Sequence, residues 1–371
     1  MRKRITWLAC ATLLCALLIA PPAAQTALAS GTGVAKIGDT TYPTLEAAVN
    51  AAPDSESTTI TLLRDAAGDG VVVKNKNITF DLCGYTYDID GTVGSTGTET
   101  NGFQLWKGSA VTFKNGTITS DKAKILIQNY CDLTLENVVL DGSKLDGART
   151  YTLSLNNGEV NITGNTSILA KANGGVAFDL YYWPDGGYDG VQVTVNTTGT
   201  ISGPIELSQD GTDADAVADH NSLTIENINH EGMISNYNVG QYVNSIVKIN
   251  GGTFAYVPTK YTGDTVVSTG GDYYVGKQAN AVLSNPNTKE VTVLKANGEL
   301  TVADGIHLTN RTGSTITVNG NSLNDNGTIV IHTASTPPKT GDSADPLLWS
   351  MLLLAAFGAA LLCMKLRKRF C

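Results

Sequence analysis

Residues 133–142, which read LTLENVVLDG, place apolar residues in short alternating runs that are interrupted at Asn137 and end at Asp141-Gly142. Residues 113–119 (FKNGTIT) and 249–254 (INGGTF) follow the same order of apolar residue, polar residue and Asn or Gly. Alternation with a period of two is typical of strands that bury one face, and Asn and Gly mark the turns between strands. The pattern therefore predicts many brief β-strands.

Runs of this kind recur through the chain. Each run has three members spaced two residues apart. The first two members are apolar, and the third is usually a residue that forms turns. They are Ile78/Phe80/Leu82, Val111/Phe113/Asn115, Leu133/Leu135/Asn137, Val160/Ile162/Gly164, Val193/Val195/Thr197, Leu223/Ile225/Asn227 and Val247/Ile249/Gly251. Their third members lie 22 to 33 residues apart. Self-similarity at such a period indicates a solenoid, in which each repeat buries its apolar face against its neighbours.

The strand content indicates which solenoid this is. Long amphipathic helical periods are absent, and leucine is too sparse for leucine-rich repeats. Three strands of four or five residues, at about 3.3 Å per residue, together with three turns fill the observed spacing. In such a parallel β-helix each strand pairs with the equivalent strand one coil away, while Asn and Gly occupy the corners.

The phrases quoted above resemble the pectate-lyase-type right-handed parallel β-helix of many Gram-positive surface proteins. The resemblance covers about residues 34–332 and implies an all-β fold. We expect an N-terminal cap over 30–57 and the β-helix over 58–290. Residues 291–332 are expected to form either shorter final coils or a separate small β-domain.

One helix is expected, in the cap. Residues 44–52 (TLEAAVNAA) carry Thr44 where a helix N-cap is needed and are followed at once by Pro53. A short strand over 34–37 and a Gly38-Asp39 turn precede them. We interpret this helix as the lid over the first coil, because an open β-helix end exposes unpaired strand groups.

The first 29 residues have the features of a secretory signal peptide. Basic residues at 2–4 precede an apolar run over 5–20, and Ala27 and Ala29 place the cleavage site before Ser30. The alternative is an N-terminal membrane anchor, which is less favoured because the apolar run is short.

The C-terminal end predicts a single membrane crossing. A linker over 333–345 leads into the uncharged segment 346–364, which is about 28 Å long as a helix and can span a bilayer once. The basic tail 365–371 follows it. By the positive-inside rule this tail is cytoplasmic and the preceding chain is outside.

The order of motif, apolar span and basic tail resembles the cell-wall sorting signal of Gram-positive surface proteins. That resemblance implies two partners, a sortase and peptidoglycan: the sortase cleaves after the threonine of a Leu-Pro-x-Thr-Gly motif and joins it to the wall. Pro338, Lys339, Thr340 and Gly341 match the motif, whereas Pro337 stands where the family usually has Leu. We expect a cell-wall protein that is membrane-anchored before sorting; the alternative is an ordinary single-pass anchor.

Charge restricts the ligands. The chain has a net charge of −9, and residues 30–340 contain 18 basic and 32 acidic residues, a net charge of −14. Nothing offsets phosphate repulsion, so a nucleic-acid partner is not expected. We expect a non-catalytic, adhesin-like protein that binds glycans or matrix, with host or microbial glycans as its ligands.

Tyr181, Tyr182, Trp183 and Tyr188 lie in a segment rich in Gly and Asp that predicts a loop leaving the solenoid. Exposed rings beside carboxylates form a surface on which the C–H face of a sugar can stack. The alternative, favoured here, is a loop folded back over the hydrophobic surface of a strand face.

A second acidic stretch is a weak candidate for calcium. Asp210, Asp213 and Asp215 could supply oxygen ligands, but no glutamate closes the set and the spacing is not that of an EF-hand. A solvated turn is the favoured interpretation, and no metal or cofactor is expected.

Catalysis is the second hypothesis. A wall-tethered polysaccharide lyase needs a strong base and a glycoside hydrolase needs two carboxylates. Arg64, Arg149 and Arg311 each stand isolated in the sequence, although Asp residues distant in sequence could meet across coils. The protein is therefore expected not to be an enzyme, and a purely structural wall spacer is a third alternative.

Two cysteines remain after signal cleavage and before the membrane segment. Cys83 and Cys131 are expected to be buried thiols at inward positions, with a disulfide as the alternative if their coils are adjacent.

Overall fold

A computed structural model describes residues 33–54, 56–183, 186–209, 220–236 and 247–332. Over these ranges the protein is mostly β, and most strands belong to one large, mainly parallel sheet. None of the helices in these ranges is long and apolar enough to cross a membrane.

Several predictions of the preceding section fall on other residues. These are the signal peptide with its site at Ala27, Ala29 and Ser30, the motif from Pro337 to Gly341, the membrane segment 346–364 and the tail 365–371. All of them lie outside the described residues and stay predictions.

The N-terminal cap contains an antiparallel hairpin and one helix. Strands β1 (Ala35–Ile37) and β2 (Thr40–Tyr42) precede helix α1 (Leu45–Ala51). The Thr44 hydroxyl oxygen accepts a hydrogen bond from the Ala47 N–H at 3.0 Å, so the predicted helix and its N-cap are confirmed. Leu45, Ala48 and Val49 face the core.

Nineteen strands follow the cap in the parallel region. They are β3 (Ser57–Leu62), β4 (Ala66–Asp69), β5 (Val71–Val73), β6 (Asn77–Asp81), β7 (Thr86–Gly91), β8 (Asn101–Leu105), β9 (Ala110–Ser120), β10 (Ile125–Asn129), β11 (Asp132–Asp141), β12 (Thr150–Leu155), β13 (Asn157–Gly164), β14 (Ser167–Leu169), β15 (Gly175–Tyr182), β16 (Gly190–Ser202), β17 (Ile205–Gln209), β18 (Ser222–His230), β19 (Ile234–Asn236), β20 (Val247–Ile249) and β21 (Gly251–Phe254).

The chain passes through three strand positions in turn and then returns to the first; we call one such passage a coil. The first coil contains β3, β4 and β5, and the second contains β6, β7 and β8. In the third coil β9 occupies the first two positions, because its first half pairs with β6 and its second half with β7. The third-position strands β5, β8, β10, β12, β15, β17 and β19 form a separate seven-stranded parallel sheet, the third column. This path is compatible with a parallel β-helix.

Strand pairing confirms that the seven sequence runs stack in register. Their first members face one another in series, each one coil after the last: Ile78, Val111, Leu133, Val160, Val193, Leu223 and Val247. All seven are buried and belong to one continuous core. The two-residue alternation therefore buries apolar side chains in vertical rows.

Aromatic side chains fill the core where the early coils meet. Phe80 and Phe113 stack with ring centroids 4.8 Å apart, and Phe103 meets Phe113 edge-on at 5.0 Å. All three are fully buried. Ring pairs in these geometries add stabilisation beyond the area that they bury.

The corner between the first two strand positions requires left-handed backbone. Asn115, Asn137 and Gly164 stand one above another there with φ values of 59°, 52° and 65°. Asn137 Oδ1 accepts a hydrogen bond from the Asn165 N–H at 2.9 Å. A Cβ on Gly164 would lie 2.3 Å from that oxygen, so the Asn137 side chain leaves room only for glycine one coil later.

The prediction of two buried thiols is correct for Cys131 and wrong for Cys83. Both are free cysteines, and Cys131 is buried, whereas Cys83 is exposed. Cys83 has a φ of 52° in the corner turn before Thr86, so its side chain points away from the core. Its thiol lies 3.5 Å from Asp81 Oδ1.

After β21 the pairing changes direction. A 3-10 turn (Thr259–Tyr261) precedes β22 (Val266–Thr269), β23 (Asp272–Gly276), helix α2 (Lys277–Ser284), β24 (Glu290–Lys295), β25 (His307–Asn310), β26 (Ile316–Val318), β27 (Asn321–Leu323) and β28 (Thr328–Val330). Strand β23 pairs antiparallel with β21 and with β22. The last parallel strand therefore has its edge covered.

These C-terminal elements surround a second hydrophobic core. Val267, Leu283, Val293, Leu308 and Ile316 are among its buried members. The parallel coils end at Phe254, earlier than the expected boundary at 290, because antiparallel pairing begins there. Residues 291–332 therefore do not continue the coil stack as shorter parallel coils.

The left-handed corner gives a stability prediction. Asn137→Ala should lower the free energy of unfolding by about 1–2 kcal/mol, because alanine lacks the short polar side chain that lets asparagine adopt left-handed backbone and the Asn165 N–H loses its acceptor. Asn137→Gly loses only that acceptor and should be more stable than the alanine variant by about 1 kcal/mol. Denaturant unfolding of both variants measures the difference, and equal losses would contradict a conformational role for this corner.

Candidate functional site

The third column carries a row of polar side chains on its outer surface. Gln104, Gln128, Ser154, Asp179 and Glu206 occupy one register position on five consecutive strands, from β8 to β17; we call them the polar row. Their neighbours along each strand are core residues, so alternation directs the row away from the core. All five are nevertheless only 4 to 7% exposed. Side chains so covered need hydrogen-bond partners.

Hydrogen bonds link the middle of the row. The Gln128 amide donates to Ser154 Oγ at 3.3 Å and also to Asn156 Oδ1. The Leu155 N–H donates to Asp179 Oδ1 at 3.1 Å. Ser154 also hydrogen-bonds to Asp179, so the three members from Gln128 to Asp179 form a network and not a set of independent surface groups.

Arg149 closes this network at its far end. Its guanidinium forms an ion pair with Glu206, two coils later in the stack, and its Nε donates to the Tyr151 hydroxyl at 2.8 Å. Arg149, which stands isolated in the sequence, is thus paired in the fold. Fifty-seven residues separate it from Glu206 along the chain, a distance over which local spacing carries no signal.

The pKa of the Asp179 carboxyl group is raised above its ordinary value. Burial away from water raises its pKa to about 7; the Leu155 and Ser154 hydrogen bonds oppose this shift, while the charge of Glu206 adds to it. Asp179 and Glu206 stand on adjacent paired strands, which lie about 4.8 Å apart. A carboxyl with such a pKa can hold a proton at neutral pH and release it.

The four predicted aromatic residues do not form one exposed surface. Tyr182 is buried and stacks on His220, with ring centroids 4.4 Å apart and planes 8° apart. Trp183 is 36% exposed and lies tilted against Tyr188 at 5.9 Å. Tyr181 is half-buried in the third column.

Tyr188 instead contacts an aromatic side chain that the sequence did not single out, that of Tyr130. It stacks on Tyr130 of the third coil, with centroids 4.8 Å apart, and burial raises the pKa of Tyr130 to about 12. We call Tyr130, Tyr188 and Trp183 the aromatic stack. Aligning the repeats could have found Tyr130, because register places it in one row with Trp106 and Tyr181.

The segment that carries Trp183 and Tyr188 lies back along the coils. Lys107 follows β8, three coils before β15, and its Nζ contacts Asp189 Oδ2 at 3.0 Å and the Gly187 carbonyl oxygen at 3.1 Å. A Cβ on Gly186 would lie 2.7–2.8 Å from the Tyr188 and Trp183 rings, so only glycine fits there. This geometry agrees with a loop folded back over the strand face, and it leaves Trp183 as the exposed edge of the stack.

The calcium candidates Asp210, Asp213 and Asp215 lie outside the described residues. Within the part of the chain that the structure describes, no group of three or more His, Cys, Asp or Glu side chains could hold a metal ion.

Comparisons with protein families, curated proteins and solved structures found no match for the chain. What the protein does is therefore inferred from its own residues and their geometry.

The pKa of Asp179 predicts a pH-dependent effect of its amide variant. Because the folded-state pKa lies above the value of about 3.9 in unfolded chains, the native protein loses stability as the pH rises from about 4 to 7. Asp179→Asn cannot ionise and escapes this loss. Its free energy of unfolding relative to the native protein should therefore rise by on the order of 4 kcal/mol between pH 4 and pH 8.

Urea unfolding at the two pH values measures this change. Thr134→Ala, on a half-buried strand position, removes no titratable group, so its difference from the native protein should be the same at both pH values. A difference that stays constant with pH would contradict a protonated Asp179 in the fold.

Proposed function

We propose that the protein is a secreted, cell-wall-anchored and non-catalytic surface protein of a Gram-positive bacterium, which binds glycans through its third column. In this proposal the coils wind as a right-handed parallel β-helix. The in-register parallel pairing over successive coils supports that winding, and the N-terminal helix and C-terminal antiparallel strands serve as its two caps.

The observation that carries glycan binding is the aromatic stack beside the polar row. Tyr130 comes from the third coil, whereas Trp183 and Tyr188 come from the segment after β15. The stack offers a flat apolar surface that ends in a partly exposed indole. The Asp189 carboxylate and the Lys107 ammonium beside the stack, whose side chains are 86% and 49% exposed, supply the hydrogen-bonding groups that sugar hydroxyls require.

Charge favours a neutral glycan over an acidic one. Lys107 is paired with Asp189, and Arg149 is paired with Glu206. Both of these cations thus already have a carboxylate partner. A uronate or sulfate group would have to compete with that partner.

The anchoring part of the proposal rests on the sequence signals at the two chain ends. A signal peptide delivers the chain across the membrane, and the membrane segment holds it until a sortase cleaves after Thr340. Peptidoglycan then becomes the covalent partner. The large negative charge of residues 30–340 suits a protein that must stay soluble at a surface.

A wall-tethered glycoside hydrolase is the second candidate function, and one observation favours it. Asp179 and Glu206 are in-register neighbours on adjacent strands, and retaining glycosidases place two carboxyl groups about 5–5.5 Å apart. Asp179 would serve as the acid and Glu206 as the nucleophile. Their burial and existing partners make binding the better supported function.

Glycan binding should depend on Trp183. On an array of neutral oligosaccharides, Trp183→Ala in the full-length chain should weaken binding by about tenfold, because a stacked ring contributes about 1 kcal/mol or more. Tyr85→Ala is the matched control, since Tyr85 is similarly exposed, at 38%, and lies at the corner before β7. It should bind as the native protein does.

Three outcomes of this experiment are informative. Binding that ignores Trp183 would remove the aromatic stack as the site. New reducing ends that disappear in Asp179→Asn and Glu206→Gln would establish the hydrolase instead. A blank array without turnover would leave the structural spacer.

Wall attachment predicts a defined C-terminus. Protein released from cell walls by muramidase should end at Thr340 joined to a peptidoglycan fragment, as mass spectrometry of the C-terminal peptide will show. Thr340→Ala should stay uncut and fractionate with the membrane. A native chain that continues past Gly341 would support an ordinary membrane anchor.

A further inference from the structure

A groove crosses the start of four consecutive coils beside the aromatic stack. It runs from Lys76 and Asn77 in the second coil, past Gly108 in the third and Asp132 in the fourth, to Asn157 in the fifth. Its volume is about 470 Å³, within the range of about 300–1,000 Å³ that is typical of ligand sites. Paired strands lie about 4.8 Å apart, so the three steps from coil to coil cover about 14 Å.

Polar groups that solvent can reach line this groove. Asn77, Gly108 and Asp132 are all exposed. One Asp132 oxygen accepts a backbone N–H at 2.9 Å, which fixes the carboxylate in place. The apolar side chains of the lining are the small ones of Ala110 and Cys131. Such a surface offers little area to an acyl chain or a large apolar side chain, whereas it suits a ligand rich in hydroxyl groups.

One end of the groove lies at the foot of the aromatic stack. Asn157 Oδ1 accepts a hydrogen bond from the Asp189 N–H at 2.9 Å, and Asn157 Nδ2 donates to the Tyr130 carbonyl oxygen at 3.1 Å. Asp189 directly follows Tyr188 in the chain. The partly exposed edge of Trp183, the two tyrosine rings and the groove are therefore contiguous.

The charges of the groove disfavour an acidic ligand. Lys76 Nζ donates to the Ala52 carbonyl oxygen and lies 2.9 Å from Asp54 Oδ1, and the Lys76 side chain is only 13% exposed. Its charge is thus already paired. Asp132, in contrast, presents an exposed carboxylate. A uronate or sulfate group in the groove would be repelled by Asp132 and would have to compete with Asp54 for Lys76.

From this arrangement we propose that the groove and the aromatic stack form one extended site, which binds several consecutive units of a linear neutral polysaccharide and not a single terminal sugar. The extended site presupposes the glycan binding proposed above. One sugar stacks on Trp183, and the following units lie in the groove and run across the coils toward Lys76. Their hydroxyls bond to Asn77 and Asp132. Because the groove is open to solvent, the rest of the polysaccharide continues beyond it.

The length of the oligosaccharide is the variable that tests the extended site. The full-length chain is titrated by isothermal calorimetry with the neutral series from glucose to cellohexaose, from xylose to xylohexaose and from mannose to mannohexaose. In a series that binds, affinity should rise by about tenfold or more between the disaccharide and the hexasaccharide, because the longer chain adds hydrogen bonds in the groove. A longer chain also gains from the number of positions in which it can bind, so variants of the groove are needed.

Two variants alter the groove and a third is their control. Ala110→Leu fills it from a half-buried outward position, since the next residue, Val111, faces the core. It should remove most of the gain with length and leave disaccharide affinity unchanged. Asp132→Asn keeps the shape but not the charge and should weaken hexasaccharide binding by about fivefold. Ser222→Leu is the matched control, because half-buried Ser222 precedes Leu223 as Ala110 precedes Val111, in a coil beyond the groove. It should bind every length as the native protein does.

The outcomes separate the extended site from the glycan binding on which it rests. Trp183→Ala should weaken binding of every length alike. Equal affinity for all lengths in the native protein, or a gain with length that survives the groove variants, would overturn the extended site and leave glycan binding intact. If Ala110→Leu does not fold, Asp132→Asn decides in the same way. Absence of binding to every member of the three series would overturn both.

Discussion

In-register parallel pairing between equivalent strands of successive coils is the constraint on which the rest of the structure depends. Because of this pairing, a residue at a given register position in one coil lies next to the residue at the same position in the next coil. Ile78, Val111 and Leu133 become a buried column for this reason. The same rule places Asp179 against Glu206. Core and candidate site are thus two outcomes of one pairing rule on opposite faces of a strand.

That rule also explains how far the sequence could be interpreted. The inward rows were predictable, because two-residue alternation and the Asn and Gly at the corners are local signals. The cap helix was predictable from Thr44 and Pro53 in the same way. The exposed Cys83 was not, since a cysteine in a left-handed corner looks in sequence like a core residue.

The candidate site was harder to predict because its partners are distant along the chain. Arg149 meets Glu206, and Tyr130 meets Tyr188, only after coils of unequal length have been brought into register. Because the loops between strands differ in length, a constant repeat period in the sequence does not align these residues. Trp183 and Tyr188 were singled out by composition, but Tyr182 turned inward to stack on His220. Local sequence could not show which of these rings faced solvent.

The antiparallel strand β23 has a consequence for how such a chain can change in length. It occupies the edge of β21 with pairing opposite in direction to every strand of the coil stack before it. A coil added after Phe254 would separate β23 from β21. The stack can therefore be lengthened at this point only if the added coil offers β23 an equivalent edge.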